Sequence, residues 1–76
     1  MTNNVRPLTM LGPGQEATVV GINAGAGLSR RLATMGLCPG MKVRLLQAGQ
    51  PGPLLVMVGN TRLCLGRGLA QKVMVG

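Results

Sequence analysis

The 76-residue sequence has no His, Asp, Phe, Tyr or Trp, and its single acidic side chain is Glu16. Each absence closes a route. Without a second carboxylate there is no acid/base pair of the glycosidase kind. Without His there is no Ser-His or Cys-His activation of a nucleophile. Without aromatic rings there is no platform on which single-stranded bases can stack. A transition-metal centre would have to draw on Cys38, Cys64, Glu16, six Met and backbone oxygens, poor material for tight zinc or iron. The expected role is therefore a binding or regulatory module, not an enzyme, with no cofactor required. Long apolar runs are also missing. The longest aliphatic stretch is Leu54-Leu55-Val56-Met57-Val58, far short of the roughly 20 residues that span a bilayer. Residues 1–4 lack the basic and apolar blocks of a signal peptide, so a cytoplasmic location is expected, with Cys38 and Cys64 as free thiols.

What remains is apolar and basic. Hydrophobic residues make up 46% of the chain, as in a globular domain, and residues 1–76 leave room for one domain only. Eight Lys and Arg against one acid give a net charge of +7. That excess calls for an acidic partner: a protein face, a nucleic acid or an anionic membrane surface. Only Arg30 and Arg31 are adjacent, so the charge does not form a basic tail.

The pattern reads as mainly β. Residues 8–11 form an apolar docking segment, and Gly12-Pro13-Gly14 is a turn. Residues 15–22 read as a strand. Residues 27–35 read as a short helix whose Leu28, Leu32 and Met35 share one face. Gly36 can take the left-handed position after it, Leu37 can fold back on Leu32, and Pro39 stops the helix from resuming. Strands follow at 41–48, 54–58, 61–65 and 71–75, with a rigid loop over 49–53 and one helical turn at 66–70. Gly59-Asn60 is a two-residue hairpin link of the II′ type. It pairs Val58 with Thr61, Val56 with Leu63 and Leu54 with Leu65 on the core face. Leu55, Met57, Arg62 and Cys64 fall on the other face. Five strands with one short α-helix after the first fit a small SH3-like β-barrel, curled on itself to hide its edges.

With those elements placed, the sequence resembles the ferrous iron transport protein A family (FeoA) over about residues 8–75. The likeness rests on Leu8-Thr9-Met10-Leu11-Gly12-Pro13-Gly14 and Val19-Val20-Gly21-Ile22. It continues through Leu28-Ser29-Arg30-Arg31-Leu32-Ala33-Thr34-Met35-Gly36-Leu37-Cys38-Pro39-Gly40 and Thr61-Arg62-Leu63-Cys64-Leu65-Gly66-Arg67-Gly68-Leu69-Ala70-Gln71-Lys72-Val73. The resemblance implies an SH3-like barrel and a small cytosolic accessory of ferrous iron (Fe2+) uptake. Its partner would be the cytosolic, GTP-hydrolysing part of the iron permease FeoB, at the inner face of the membrane. Two features depart from the family pattern. Leu55 and Met57 stand where outward charges are expected, and Cys38 and Cys64 are not family positions.

Four sets of residues are candidates for function. Arg30 and Arg31 are expected on the solvent side of the helix, either pairing with a partner's acids or simply solvated. With Arg62, Arg67 and Lys72 they would steer the domain to an acidic partner. Leu55 and Met57 offer a docking or weak homo-oligomer patch, unless residues 8–11 cover them. Cys38, Cys64 and Glu16 are metal-site candidates for a transition-metal-sensing role with weak Fe2+ association; as ligands they leave a tetrahedron one short, and the thiols otherwise serve as small apolar fillers. A basic, ribosome-associated nucleic-acid-binding module is the remaining alternative, through phosphate contacts that need no aromatic rings.

Overall fold

Two Pro-Gly turns set the path of the chain. The computed structural model describes residues 5–48 and 52–76; the polar start at 1–4 and residues 49–51 of the expected loop lie outside the described residues. In the first turn Gln15 donates its backbone N–H to the Gly12 carbonyl at 3.0 Å, with Gly14 at φ +83°. In the second, Met41 N–H donates to the Cys38 carbonyl at 3.1 Å, with Gly40 at φ +97°. Pro at the first central position and a positive-φ Gly at the second are the demands of a type II turn.

Between these turns lie strand β2 (Glu16–Ile22) and helix α1 (Ala26–Thr34). The helix ends in a Schellman motif. Gly36, at φ +98°, donates to the Ala33 carbonyl at 3.0 Å, and Leu37 donates to the Leu32 carbonyl at 2.9 Å. Leu32 and Leu37 are both buried. This corrects the expected helix face. Met35 does not join Leu28 and Leu32 on the core; it is the C-cap and is 39% exposed, because the reversal at Gly36 carries Leu37 back into the core instead.

Strands β3 (Lys42–Ala48), β4 (Leu54–Val58) and β5 (Thr61–Leu65) follow, then the short helix α2 (Arg67–Ala70) and strand β6 (Val73–Val75). The β4–β5 register is the one the two-residue link dictates, pairing Leu54 with Leu65, Val56 with Leu63 and Val58 with Thr61. Gly59 is at φ +59°, while no described residue other than Gly has positive φ, which is the pattern of a II′ turn.

Where five strands were expected there are six. Arg6–Pro7 forms β1 against β6, followed by a 3-10 turn over Leu8–Met10. All pairings are antiparallel, in the order β1-β6-β2-β3-β4-β5. The sheet is curled but not closed by hydrogen bonds, since the end strands β1 and β5 are not neighbours. The 3-10 turn after β1 packs on α2 after β5, so side chains rather than a backbone ladder span that gap.

β2 serves both halves of the sheet. Its first residues pair with β3 (Glu16 with Arg44, Thr18 with Lys42). Beyond them, Val19 pairs with Val75 and Gly21 with Met74, and the extra residue Val20 makes a bulge. The bulge changes the phase of the strand. Val19 is buried and Ile22 also packs on the core, although an undisturbed two-residue period would put them on opposite faces.

The core gathers Leu8, Leu11, Val19, Leu32, Leu37, Val43, Leu45, Leu54, Val56, Val58, Leu65, Ala70, Val73 and Val75, and no polar or charged residue is buried among the described residues. Residues 8–11 therefore contribute Leu8 and Leu11 to the interior, beside α2 and β6.

Candidate functional site

The outer face of the sheet carries one continuous cross-strand row. Glu16 on β2 is opposite Arg44 on β3, Arg44 is opposite Met57 on β4, and Met57 is opposite Arg62 on β5. A parallel row places Gln47, Leu55 and Cys64 side by side. Directly opposed residues on one face are close enough for their side chains to interact.

A second bulge shapes this face. Leu45 pairs with Val56 and Gln47 with Leu55, leaving Leu46 as the extra residue of β3. A regular alternation would point Gln47 into the core. The bulge returns it to the outer face, opposite Leu55, and leaves Leu46 half-buried beside Met57. The result is a cleft of about 310 Å³ lined by Glu16, Lys42, Arg44, Leu46, Met57 and Gly59. Its floor is apolar and its rim carries two cations and the only acid of the chain. An Arg44 guanidinium nitrogen lies 4.0 Å from a Glu16 carboxylate oxygen, with about half of each side chain exposed. A pair that open to water stabilises the fold by under about 1 kcal/mol.

The sequence candidates divide around this cleft. Met57 lines it, and Arg62 and Leu55 continue the same surface on β5 and β4. Leu55 and Met57 are half-buried and Arg62 is exposed. No residue of 8–11 lines the cleft, so the cover expected for Met57 from that segment is corrected: its leucines point to the core. Arg30 and Arg31 are exposed on α1, Lys72 is exposed after α2, and Arg67 is half-buried at the start of α2. None of these four lines the cleft.

Cys38 is half-buried and Cys64 is exposed on β5, both as free thiols. Among the described residues no three of His, Cys, Asp and Glu stand together as a metal would require. Glu16 faces Arg44, not a thiol. Among the described residues no helix is long and apolar enough to cross a membrane.

Reading the sequence alone missed Glu16, Lys42, Arg44 and Leu46 as one group. The available signal was Leu45-Leu46-Gln47, where strict alternation would bury a glutamine.

A short, strongly bent antiparallel sheet, two small helices and a shallow outer cleft define a small SH3-like module. The FeoA domain model matches residues 6–76, and the chain belongs to that family. It is 38% identical over 69 residues to a candidate Fe(2+) transport protein A of Methanocaldococcus jannaschii, covering 91% of this chain and 83% of that one. Among solved structures, the fold is similar to an iron uptake regulatory protein (FeoA) with a TM-score of 0.87 and 39% identity, covering 97% of both chains. It is also similar to the FeoA of Stenotrophomonas maltophilia, solved with zinc and described as an SH3 domain protein. There the TM-score is 0.80 and the identity 33%, over 92% of this chain and 88% of that one. A manganese-dependent transcriptional repressor carries the same fold over 42% of its own length, at a TM-score of 0.87 and 26% identity.

Proposed function

We propose that this chain is a non-enzymatic accessory of ferrous iron uptake that docks on the cytosolic, GTPase-containing part of the iron permease FeoB. The observation that carries the reading is membership of the FeoA family across residues 6–76, with relatives named for Fe(2+) transport and iron uptake. The charge distribution supports it. None of the eight cations is buried, and six of them, Arg30, Arg31, Lys42, Arg44, Arg62 and Lys72, are exposed. Such a surface steers a small domain toward an acidic partner beside an anionic membrane face.

A docked module changes a transporter only by binding one of its states more tightly than the others. On this reading the domain biases the GTPase or the pore by differential affinity and performs no bond chemistry of its own. Metal sensing by Cys38, Cys64 and Glu16 has less support, since these groups do not assemble and Glu16 is turned to Arg44.

The test is a pull-down of the transporter's cytosolic domain by the wild-type chain and by an Arg30→Glu/Arg31→Glu variant. Capture is expected to fall at low salt. Unchanged capture would remove these arginines from the interface and overturn the α1 contact.

A further inference from the structure

We propose that the outer cleft on β2, β3 and β4 receives an extended acidic segment of a partner protein bearing one apolar anchor side chain, and that Glu16 holds the place of that segment's carboxylate in the free protein. The inference names a contact face for the docking reading and rests on it for the partner's identity alone.

The cleft has the two components such a segment needs. Leu46 and Met57 give an apolar floor, and about 310 Å³ accommodates one large aliphatic side chain. Lys42 and Arg44 stand at its rim, and Arg62 extends the row beyond Met57. A carboxylate on either side of an apolar anchor would meet a cation. A nucleic acid fits less well, because its phosphates could meet Lys42 and Arg44 but it brings no aliphatic group to cover Leu46 and Met57, and the chain has no ring on which to stack a base.

Glu16 gives the site its particular character. In a chain with one acidic side chain, that acid lies in the cleft, 4.0 Å from Arg44. It adds little to stability at this exposure. It does offer Arg44 an internal carboxylate that an incoming one must displace. The arrangement thus lowers affinity for weakly acidic segments and favours those that bring several carboxylates and the anchor together.

The test uses the full chain with methyl-labelled Met, titrated with the peptide EEELEEE and followed by NMR. The Met57 methyl is expected to shift, while Met10, 65% exposed and outside the cleft lining, stays in place. Lys42→Glu/Arg44→Glu is expected to weaken binding about tenfold or more. Glu16→Gln is expected to strengthen it about two- to fivefold. Gln71→Lys raises the net charge by the same one unit at an exposed position outside the lining, and is expected to give a smaller gain. An equal gain from Gln71→Lys would overturn the role of Glu16. Equal affinity for EEEGEEE would overturn the apolar anchor. A Met57 shift as large with an oligonucleotide or with phosphatidylglycerol vesicles would overturn the choice of partner. Peptide binding by the cleft together with unimpaired transporter capture by the Arg30→Glu/Arg31→Glu variant would leave the cleft standing and remove the α1 contact. The converse pair of results would overturn the cleft and leave the docking reading standing.

Discussion

Leu37 donates its backbone N–H to the carbonyl of Leu32 at 2.9 Å, and both side chains are buried. This closure depends on Gly36 at φ +98°, where an added Cβ would also stand 3.3 Å from Val58 Cγ1. Gly36→Ala is therefore expected to cost about 1–2 kcal/mol, from the left-handed backbone alone. Urea denaturation measures it. Met35→Ala, one residue earlier but outside the core, serves as the control and should change stability by under about 0.5 kcal/mol.

Leu46 is the residue that the pairing of β3 with β4 skips. Deleting it would remove the bulge and let the ladder run in regular alternation, with Leu45 inward, Gln47 still outward opposite Leu55 and Ala48 inward. The deletion is expected to cost less than about 2 kcal/mol, chiefly the lost half-buried leucine side chain. Leu46→Ser keeps the bulge and should cost about 1 kcal/mol or less at this half-buried position. Denaturation curves and amide spectra of the two variants check this; a loss well above about 2 kcal/mol on deletion would show that β3 needs the extra residue to pair with β4.

The Glu16–Arg44 pair should be almost silent in folding. Both side chains are about half exposed and the charged atoms are 4.0 Å apart. Glu16→Gln is expected to change unfolding free energy by under about 1 kcal/mol in guanidinium-free thermal or urea melts. A larger loss would show that the pair holds β2 to β3, and would assign it to stability rather than to binding.

The thiols should prove irrelevant to metal. Anaerobic Fe2+ titration of wild type and of Cys38→Ser/Cys64→Ser is expected to give the same binding curve, since the two thiols and Glu16 form no common site. A micromolar site lost in the double variant would contradict this.

How far the sequence spoke depended on how local the signal was. The Gly59-Asn60 hairpin was readable to the residue pair, because a two-residue link leaves one register open. The α1 stop was readable for the same reason, with Gly36, Leu37 and Pro39 all within a few positions. Met35 departs from the expected face because helical periodicity carries it one residue past Thr34, onto the C-cap. β1 escaped notice because Arg6 and Pro7 have no period of their own and are held by the distant Met74 and Val75. The cleft was half seen. Met57 was identified as an outward apolar residue, but Glu16, Lys42, Arg44 and Leu46 join it only through strand pairing and a bulge. Those are set by long-range packing that composition does not display.

The position of β6 has a consequence for how the chain is made. β6 lies between β1 and β2, and Thr18 and Gly76 exchange two backbone hydrogen bonds of 3.0 and 2.8 Å. The N-terminal third thus meets its central neighbour only when residues 73–76 have been synthesised. During translation β3, β4 and β5 can zip locally, while β1 waits without a strand partner and much of β2 with one side unpaired. The nascent domain is most exposed to proteolysis and mispairing until residues 73–76 emerge, and β6 acts as the clasp that ends that interval.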